Sequence, residues 1–156
     1  MKLSIIALLA LLTSCGQITQ SPKIVETDHF FDGFKIDWEY DTGRNVDHIA
    51  INFSELSDGT DARCNFYEDE THKTFNYIMV SRKFWEKSSD LSKQQVIYHE
   101  LVHCDLLFYT HVDSKDKNSC PISIMSTYSF SANEIKMCYS KYREEYIAEM
   151  LTHNRN

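Results

Sequence analysis

The stretch His99-Glu100-Leu101-Val102-His103 constrains this chain more than any other part of its sequence. The segment from residue 92 to 108 contains no Gly or Pro and has apolar residues at helical spacing, so we expect a helix. Side chains four residues apart lie about one turn apart on the same face of a helix. His99 and His103 can therefore bind one metal ion together. Glu100 lies close enough to reach a water molecule on that metal.

The ends and the buried face of this helix also follow from the sequence. Ser92 and Gln95 have the spacing of a capping box, which predicts the start of the helix. An apolar stripe runs on to the end of the segment, roughly opposite the two histidines, and consists of Ile97, Leu101, Cys104 and Phe108. We therefore expect one face of the helix to be buried and the other to face a cleft.

The first residues are typical of a targeting segment rather than of a folded domain. Lys2 precedes an apolar run, residues 3–12, that is too short for an ordinary transmembrane helix. Leu12-Thr13-Ser14-Cys15 resembles a bacterial lipobox, which implies that residues 1–14 are a signal peptide and that Cys15 carries lipid. Gly16 follows, which in a Gram-negative cell is similar to an outer-membrane sorting signal. The alternative is an ordinary secretory signal with an incidental cysteine.

The resemblance to a lipoprotein implies a location in the bacterial cell envelope. Residues 15–28 are polar and without periodicity, and we interpret them as a tether between the lipid and the domain. The membrane is then a partner through the lipid alone. The formal net charge is −7 and the basic residues form no dense cluster, which argues against nucleic acid as a partner.

Four further cysteines predict two disulfides in an exported chain. An even number of cysteines without a C-x-x-C pair favours disulfides over a second metal site, and three pairings are possible among Cys64, Cys104, Cys120 and Cys138. We expect Cys104 or Cys120 to tie the histidine helix to the loop that follows it. The pairing itself stays open at this level.

Hydrophobic periodicity predicts one α+β domain over residues 29–156. The alternation of Phe34, Ile36 and Trp38 favours a strand within residues 29–40. Further strands are expected within residues 46–53, 64–67 and 75–80. Ser81 is placed to cap a short helix, and residues 133–153 should form a C-terminal helix. The prediction is a small sheet packed on the histidine helix, with a C-terminal helix beside it.

A catalytic zinc ion normally has three protein ligands, and His111 is the first candidate for the third. His99-Glu100-x-x-His103 with His111, together with the later Ser123-Ile124-Met125, resembles the metzincin group of zinc peptidases. The closer likeness is to a set of metzincin-like bacterial lipoproteins. The resemblance implies a zincin-like fold, one catalytic Zn²⁺, and a Met-turn that places Met125 beneath the metal. It also implies Glu100 as general base and a peptide or protein as substrate.

The chain departs from the metzincin pattern at two points. His111 lies eight residues after His103, where metzincins have six, and Leu106 occupies the position of their turn glycine. Other third ligands therefore stay open, namely Asp113 in the same loop and three glutamates of the C-terminal helix, Glu144, Glu145 and Glu149. Tyr128 lies three residues after Met125, where some metzincins have an oxyanion-binding Tyr at two, so a role for it in the transition state is a further hypothesis.

These residues predict a membrane-anchored zinc metallopeptidase. The zincin resemblance implies that an extended substrate pairs with an edge strand above the histidine helix, for which we take residues 76–81. The main alternative is a catalytically inactive envelope lipoprotein that keeps the fold and serves as a binding or structural module. Zinc-dependent hydrolysis of another amide, such as a cell-wall linkage, is a third possibility.

Overall fold

The structure is a computed structural model that describes residues 27–153. The predicted signal peptide, Cys15 and all but the last residues of the predicted tether lie outside the described residues. Within the described part, helices and a three-stranded sheet form a mixed architecture, which confirms the predicted α+β class. None of the helices within residues 27–153 is long and apolar enough to cross a membrane.

The first element corrects the strand prediction for residues 29–40. After a 3₁₀ turn over His29–Phe31, helix α1 spans Asp32–Thr42. Phe34 and Trp38 are four residues apart, so their spacing fits a helix as well as a strand. Trp38 is fully buried, whereas Ile36, the middle residue of the alternation, is 64% exposed. Gly43, in the left-handed region at φ 69°, ends α1 and was the overlooked helix signal.

The sheet has the order β1-β3-β2. Strand β1 spans Ala50–Ser54, β2 Ala62–Glu68 and β3 Thr74–Ser81. β1 pairs with β3 in parallel and β2 pairs with β3 antiparallel. β3 is therefore the central strand, and the prediction that residues 76–81 form a substrate-binding edge is wrong. The backbone groups of a strand with partners on both sides are already paired, and β1 and β2 form the two edges instead.

Two helices follow the sheet. Helix α2 spans Arg82–Lys87, with Ser81 as its N-cap as predicted. Helix α3 spans Asp90–Cys104 and contains the histidine motif. Its N-cap is Ser89, whose Oγ accepts a hydrogen bond from Ser92 N, so the capping box predicted at Ser92 is wrong. The helix also ends four residues before Phe108, the predicted end of the apolar stripe.

The remaining chain packs on the other side of α3. A long loop leads to the short helix α4, Ala132–Glu134, a π-helical turn over Ile135–Tyr139, and helix α5, Ser140–His153. The helix predicted over residues 133–153 corresponds to these three consecutive helical elements, which begin one residue earlier, at Ala132. The core joins all layers, with contributions from the sheet, α3 and the C-terminal segment, notably Ile51, Ile78, Leu101, Tyr139 and Met150.

Both predicted disulfides are present. Cys64 of β2 pairs with Cys104, the last residue of α3, and Cys120 of the long loop pairs with Cys138 of the π-helical turn. The expectation that Cys104 or Cys120 ties α3 to the following loop is wrong. The first bond instead fastens the C-terminal end of α3 to the edge strand of the sheet.

Candidate metal centre

Three histidine side chains converge at the C-terminal half of α3. The Nε2 atoms of His99 and His103 lie 3.1 Å apart. The Nε2 atom of His111 lies 3.2 Å from that of His103 and 3.3 Å from that of His99. Three ring nitrogens with their lone pairs at one point can bind a metal ion. The predicted ligands are thus brought together.

A tight turn after α3 brings His111 back to the helix. Leu107 has φ 55°, in the left-handed region, and Phe108 N donates a hydrogen bond to Val102 O over 3.3 Å. The turn glycine of the metzincin pattern falls at Leu106, but Leu106 is buried and Leu107 takes the left-handed conformation, so the turn differs as expected. A non-glycine residue can do so at a cost of about 1 kcal/mol, so the turn does not require Gly.

Backbone carbonyls fix the tautomers of the two helix histidines. His99 Nδ1 lies 2.9 Å from Ile124 O, and His103 Nδ1 lies 2.7 Å from Phe108 O. A carbonyl oxygen only accepts, so each Nδ1 carries the proton and donates it. Each Nε2 is then left with a free lone pair that points toward the other two histidines. This arrangement is typical of the outer shell of metal-binding histidines.

The loop that carries His111 is bound to the loop that contains Met125. Val112 N donates to Met125 O over 2.7 Å. The Asp113 carboxylate accepts from the Thr127 N–H and hydroxyl, each over 2.7 Å, and from the Ser126 hydroxyl over 3.2 Å. These bonds fix the positions of the two loops that flank the three-histidine cluster relative to each other. Asp113 thus links the His111 loop to the Met125 loop.

Burial keeps the helix histidines neutral. Desolvation lowers the pKa of His99 to about 4, with the neighbouring histidines acting in the same direction. Desolvation also lowers the pKa of His103, although its bond to Phe108 O opposes the change. A neutral imidazole is the form that binds a metal, so both side chains are in the ligating form at neutral pH.

Glu100 is buried between α3 and β2. Its side chain is 7% exposed, and Oε2 accepts a hydrogen bond from Cys64 N over 2.6 Å. Desolvation raises the pKa of Glu100 to about 7, while this hydrogen bond and the positive charge of Arg63 act in the opposite direction. Oε1 has no hydrogen-bond partner within residues 27–153, so one carboxylate oxygen is free to accept a proton.

The other predicted site residues take different positions. Met125 is fully buried in the core, directly after Ile124, whose carbonyl binds His99. Tyr128 is 76% exposed and lines a cavity together with His99 and Glu100. No carboxylate within residues 27–153 joins the three-histidine cluster, which counts against the alternative third ligands Asp113, Glu144, Glu145 and Glu149.

Two cavities flank His99 and Glu100. The first, of about 350 Å³, lies between the β1–β2 loop and residues 126–129, and Gln95 contributes to its lining. The second, of about 440 Å³, contains all three histidines and extends to Phe66 and Tyr109. Together they open the three-histidine cluster to solvent on both sides of Glu100.

Sequence reasoning missed the groups that support the histidines. The carbonyls of Ile124 and Phe108 and the N–H of Cys64 belong to the backbone, so residue type carries no signal for them. Arg63 was missed as well, since one arginine in a strand is ordinary in a sequence. Its place beside Glu100 follows only from the packing of β2 on α3.

Comparisons with known proteins returned no relative: no family model, no curated protein and no solved structure matches this chain. The geometry of the site is therefore the basis for a functional interpretation.

Proposed function

We propose that this chain is a zinc-dependent metallopeptidase in which His99, His103 and His111 bind the metal and Glu100 is the general base. The observation that supports this best is the set of Nε2 separations, 3.1, 3.2 and 3.3 Å. Three nitrogens bound tetrahedrally to zinc at about 2.0–2.1 Å lie about 3.3–3.4 Å from one another. The donor set therefore fits zinc with little movement.

Three ligands rather than four favour a catalytic role. Structural zinc sites are usually closed by four protein ligands, whereas catalytic sites keep a fourth position for water. Within residues 27–153, no cysteine, carboxylate or further histidine completes the cluster. The two cavities beside it provide access for water and for substrate.

When bound, zinc would supply a Lewis acid that polarises the scissile carbonyl and lowers the pKa of an attacking water from 15.7 towards about 7. Glu100 Oε1 accepts the proton of that water, while the bond from Cys64 N to Oε2 holds the carboxylate in place. Glu100 then delivers the proton to the leaving amine. Tyr128, exposed at the rim of the first cavity, is the candidate donor to the developing oxyanion.

The edge strand β2 is the best candidate for holding an extended substrate. It pairs with β3 on one side, and Cys64 N on its other side donates to Glu100. Backbone groups that point away from β3 on either side of Cys64 can pair with a peptide. Such a peptide would run past Glu100 and the histidines. A sheet edge next to the histidine helix is also the arrangement implied by the zincin resemblance.

The metzincin resemblance and the lipoprotein leader complete the proposal. Met125 lies in the loop whose carbonyls bind the His99 ring and the His111 loop, which is the part a Met-turn would play. Lipid on Cys15 would anchor the enzyme to a bacterial envelope membrane, outer membrane included. Its substrate would then be a peptide or protein in that compartment.

The test is a comparison of Glu100→Gln with the native protein, both loaded with zinc. We expect Glu100→Gln to keep one zinc per chain and to lose peptidase activity by about 10²–10⁴-fold, since general acid–base catalysis typically contributes that much. The matched control is Glu144→Gln, an exposed residue of α5, which should keep both. Metal content by elemental analysis and peptide cleavage by mass spectrometry are the measurements.

Two outcomes would contradict the proposal. Full activity in Glu100→Gln would exclude the mechanism. Stoichiometric zinc without cleavage of any peptide, including peptidoglycan stem peptides, would instead support an inactive binding or structural module.

A further inference from the structure

The two cavities beside the three-histidine site differ in their chemistry. We call them the Gln95 cavity, between the β1–β2 loop and residues 126–129, and the Tyr109 cavity, which contains the three histidines. His99 and Glu100 line both, so a peptide crossing the site would place one side chain in each. The chain around the start of β2 divides between them: Asp61, just before the strand, lines the first, Arg63 lines the second, and Ala62 lines both.

The Gln95 cavity is lined by the buried Gln95 and by Asp61, which also lines a neighbouring cavity together with Lys83. Gln95 is almost fully buried, and its Oε1 accepts a hydrogen bond from Phe130 N over 3.3 Å. The carboxylate of Asp61 has no hydrogen bond or ion pair within residues 27–153, although its backbone carbonyl accepts from Ser81 N. Val96 adds an apolar wall, and no Lys or Arg of the described chain lines the cavity.

A long cationic side chain fits this combination best. The carboxylate of Asp61 can accept a charge-assisted hydrogen bond, and the wall at Val96 can cover an aliphatic stem. An acidic side chain would face repulsion from Asp61 and Glu100 together. An apolar side chain would leave the Asp61 carboxylate without a partner.

The Tyr109 cavity has the opposite character. Phe66 and Tyr109 are both largely exposed and contact each other edge-on, with ring centroids 5.5 Å apart. Arg63 lines the same cavity, and no Asp or Glu other than Glu100 does so within residues 27–153. Exposed aromatic rings beside a guanidinium favour an aromatic side chain and disfavour a cation.

We propose that the substrate is a peptide with a basic side chain in the Gln95 cavity and an aromatic side chain in the Tyr109 cavity. Asp61 is then the specificity residue for the basic side chain. This inference rests on the proposed peptidase function and adds the substrate class to it. A lysine or arginine next to an aromatic residue at the scissile bond is the pattern it predicts.

The test uses two sets of short peptides, one for each order of the two key residues, and the peptides within a set differ at one position. Each contains Phe next to Lys, norleucine, Gln or Glu, in both orders, in the same neutral flanking sequence. We expect the zinc-loaded protein to cleave the Lys peptide with a kcat/KM about tenfold above that of norleucine or Gln. Asp61→Asn should reduce this ratio to about one, and Asp61→Lys should make the Glu peptide the better substrate.

The matched control is Asp58→Asn on the same loop. Asp58 is fully exposed, pairs with Lys83 and does not line the Gln95 cavity, so its loss should leave the Lys preference unchanged. Replacing Phe by Ala should lower kcat/KM in the native protein, and Tyr109→Ala should remove that difference. Zinc content and circular dichroism confirm that each variant is folded.

A binding measurement separates this inference from the proposed function. Fluorescence anisotropy of the labelled Lys and norleucine peptides on Glu100→Gln protein reports binding without turnover. If the protein cleaves the peptides without a preference for Lys, or if the preference remains in Asp61→Asn, the proposed specificity is wrong and the proposed peptidase function is not. Lys-dependent binding without cleavage by the native protein keeps the specificity and overturns the peptidase. If the protein neither cleaves the peptides nor binds the Lys peptide more tightly than the norleucine peptide, both the specificity and the peptidase function are wrong.

Discussion

Helix α3 carries two polar clusters that differ in one property, namely whether all their hydrogen-bonding groups have partners. Tyr98 and Gln94 face α1 and α5, where Asp41 and Arg143 join them in a closed network. Arg143 donates to Asp41, to Gln94 Oε1 over 2.9 Å and to Tyr98 OH over 3.1 Å. Tyr98 OH donates to Asp41, and burial together with Asp41 raises the pKa of Tyr98.

The three-histidine site is only one residue away along the chain, but its groups are left open. His99 and His103 direct unprotonated Nε2 atoms at one another and at His111 Nε2, and Glu100 keeps one carboxylate oxygen without a hydrogen-bond partner within residues 27–153. Within residues 27–153, the hydrogen-bond partners of these three Nε2 atoms are one another. A closed network stabilises the fold, whereas convergent acceptors without a donor need a cation. The contrast distinguishes a structural cluster from a candidate metal site.

The largest effect on stability should come from opening the closed network. Asp41→Ala removes the carboxylate partner of Arg143 and of Tyr98, and we expect it to lower the free energy of unfolding by about 2–3 kcal/mol. Urea denaturation followed by circular dichroism measures the change, and zinc content should stay at one per chain. Asp37→Ala on the same helix removes only an exposed bond from Gln94 Nε2 and should cost less than about 0.5 kcal/mol. Zinc loss in Asp41→Ala would show that the two clusters are coupled.

A smaller effect, confined to zinc affinity, should follow from removing the Asp113 carboxylate that links the His111 loop to the Met125 loop. Asp113→Ala removes the bonds to Ser126 and Thr127 that hold the His111 loop, so we expect zinc affinity to fall about tenfold. Competition with a chromophoric chelator measures the dissociation constant. Asp116→Ala, which breaks a turn in the same loop away from the histidines, is the control. Equal losses in the two variants would argue against a specific role for Asp113.

The smallest effect concerns the turn that returns the chain to the site. Leu107 is 55% exposed and left-handed, so Leu107→Gly should relieve backbone strain and raise the free energy of unfolding by about 0.5 kcal/mol. Leu106→Gly should instead lower the free energy of unfolding, because it removes a buried side chain. Chemical denaturation of both variants checks the pair. Stabilisation by Leu106→Gly would place the turn residue where the metzincin spacing puts it.

Much of the site could be predicted because its key residues are close in sequence. His99, Glu100 and His103 take their relative positions from helix geometry alone, and His111 follows after a short turn. Asp113 shows the limit of this reasoning. A carboxylate two residues beyond His111 was a candidate ligand, and only the approach of the Met125 loop shows that it binds Thr127 instead.

The sequence by itself determined the histidine helix, the number of disulfides, the two later strands and the C-terminal helix. These depend on local periodicity and on residue chemistry, which act over a few residues. Tertiary structure alone decided that β3 is the central strand of the sheet and that Cys64 pairs with Cys104. It also decided which carbonyls orient the His99 and His103 rings. Such choices depend on contacts between distant segments, and local patterns do not encode them.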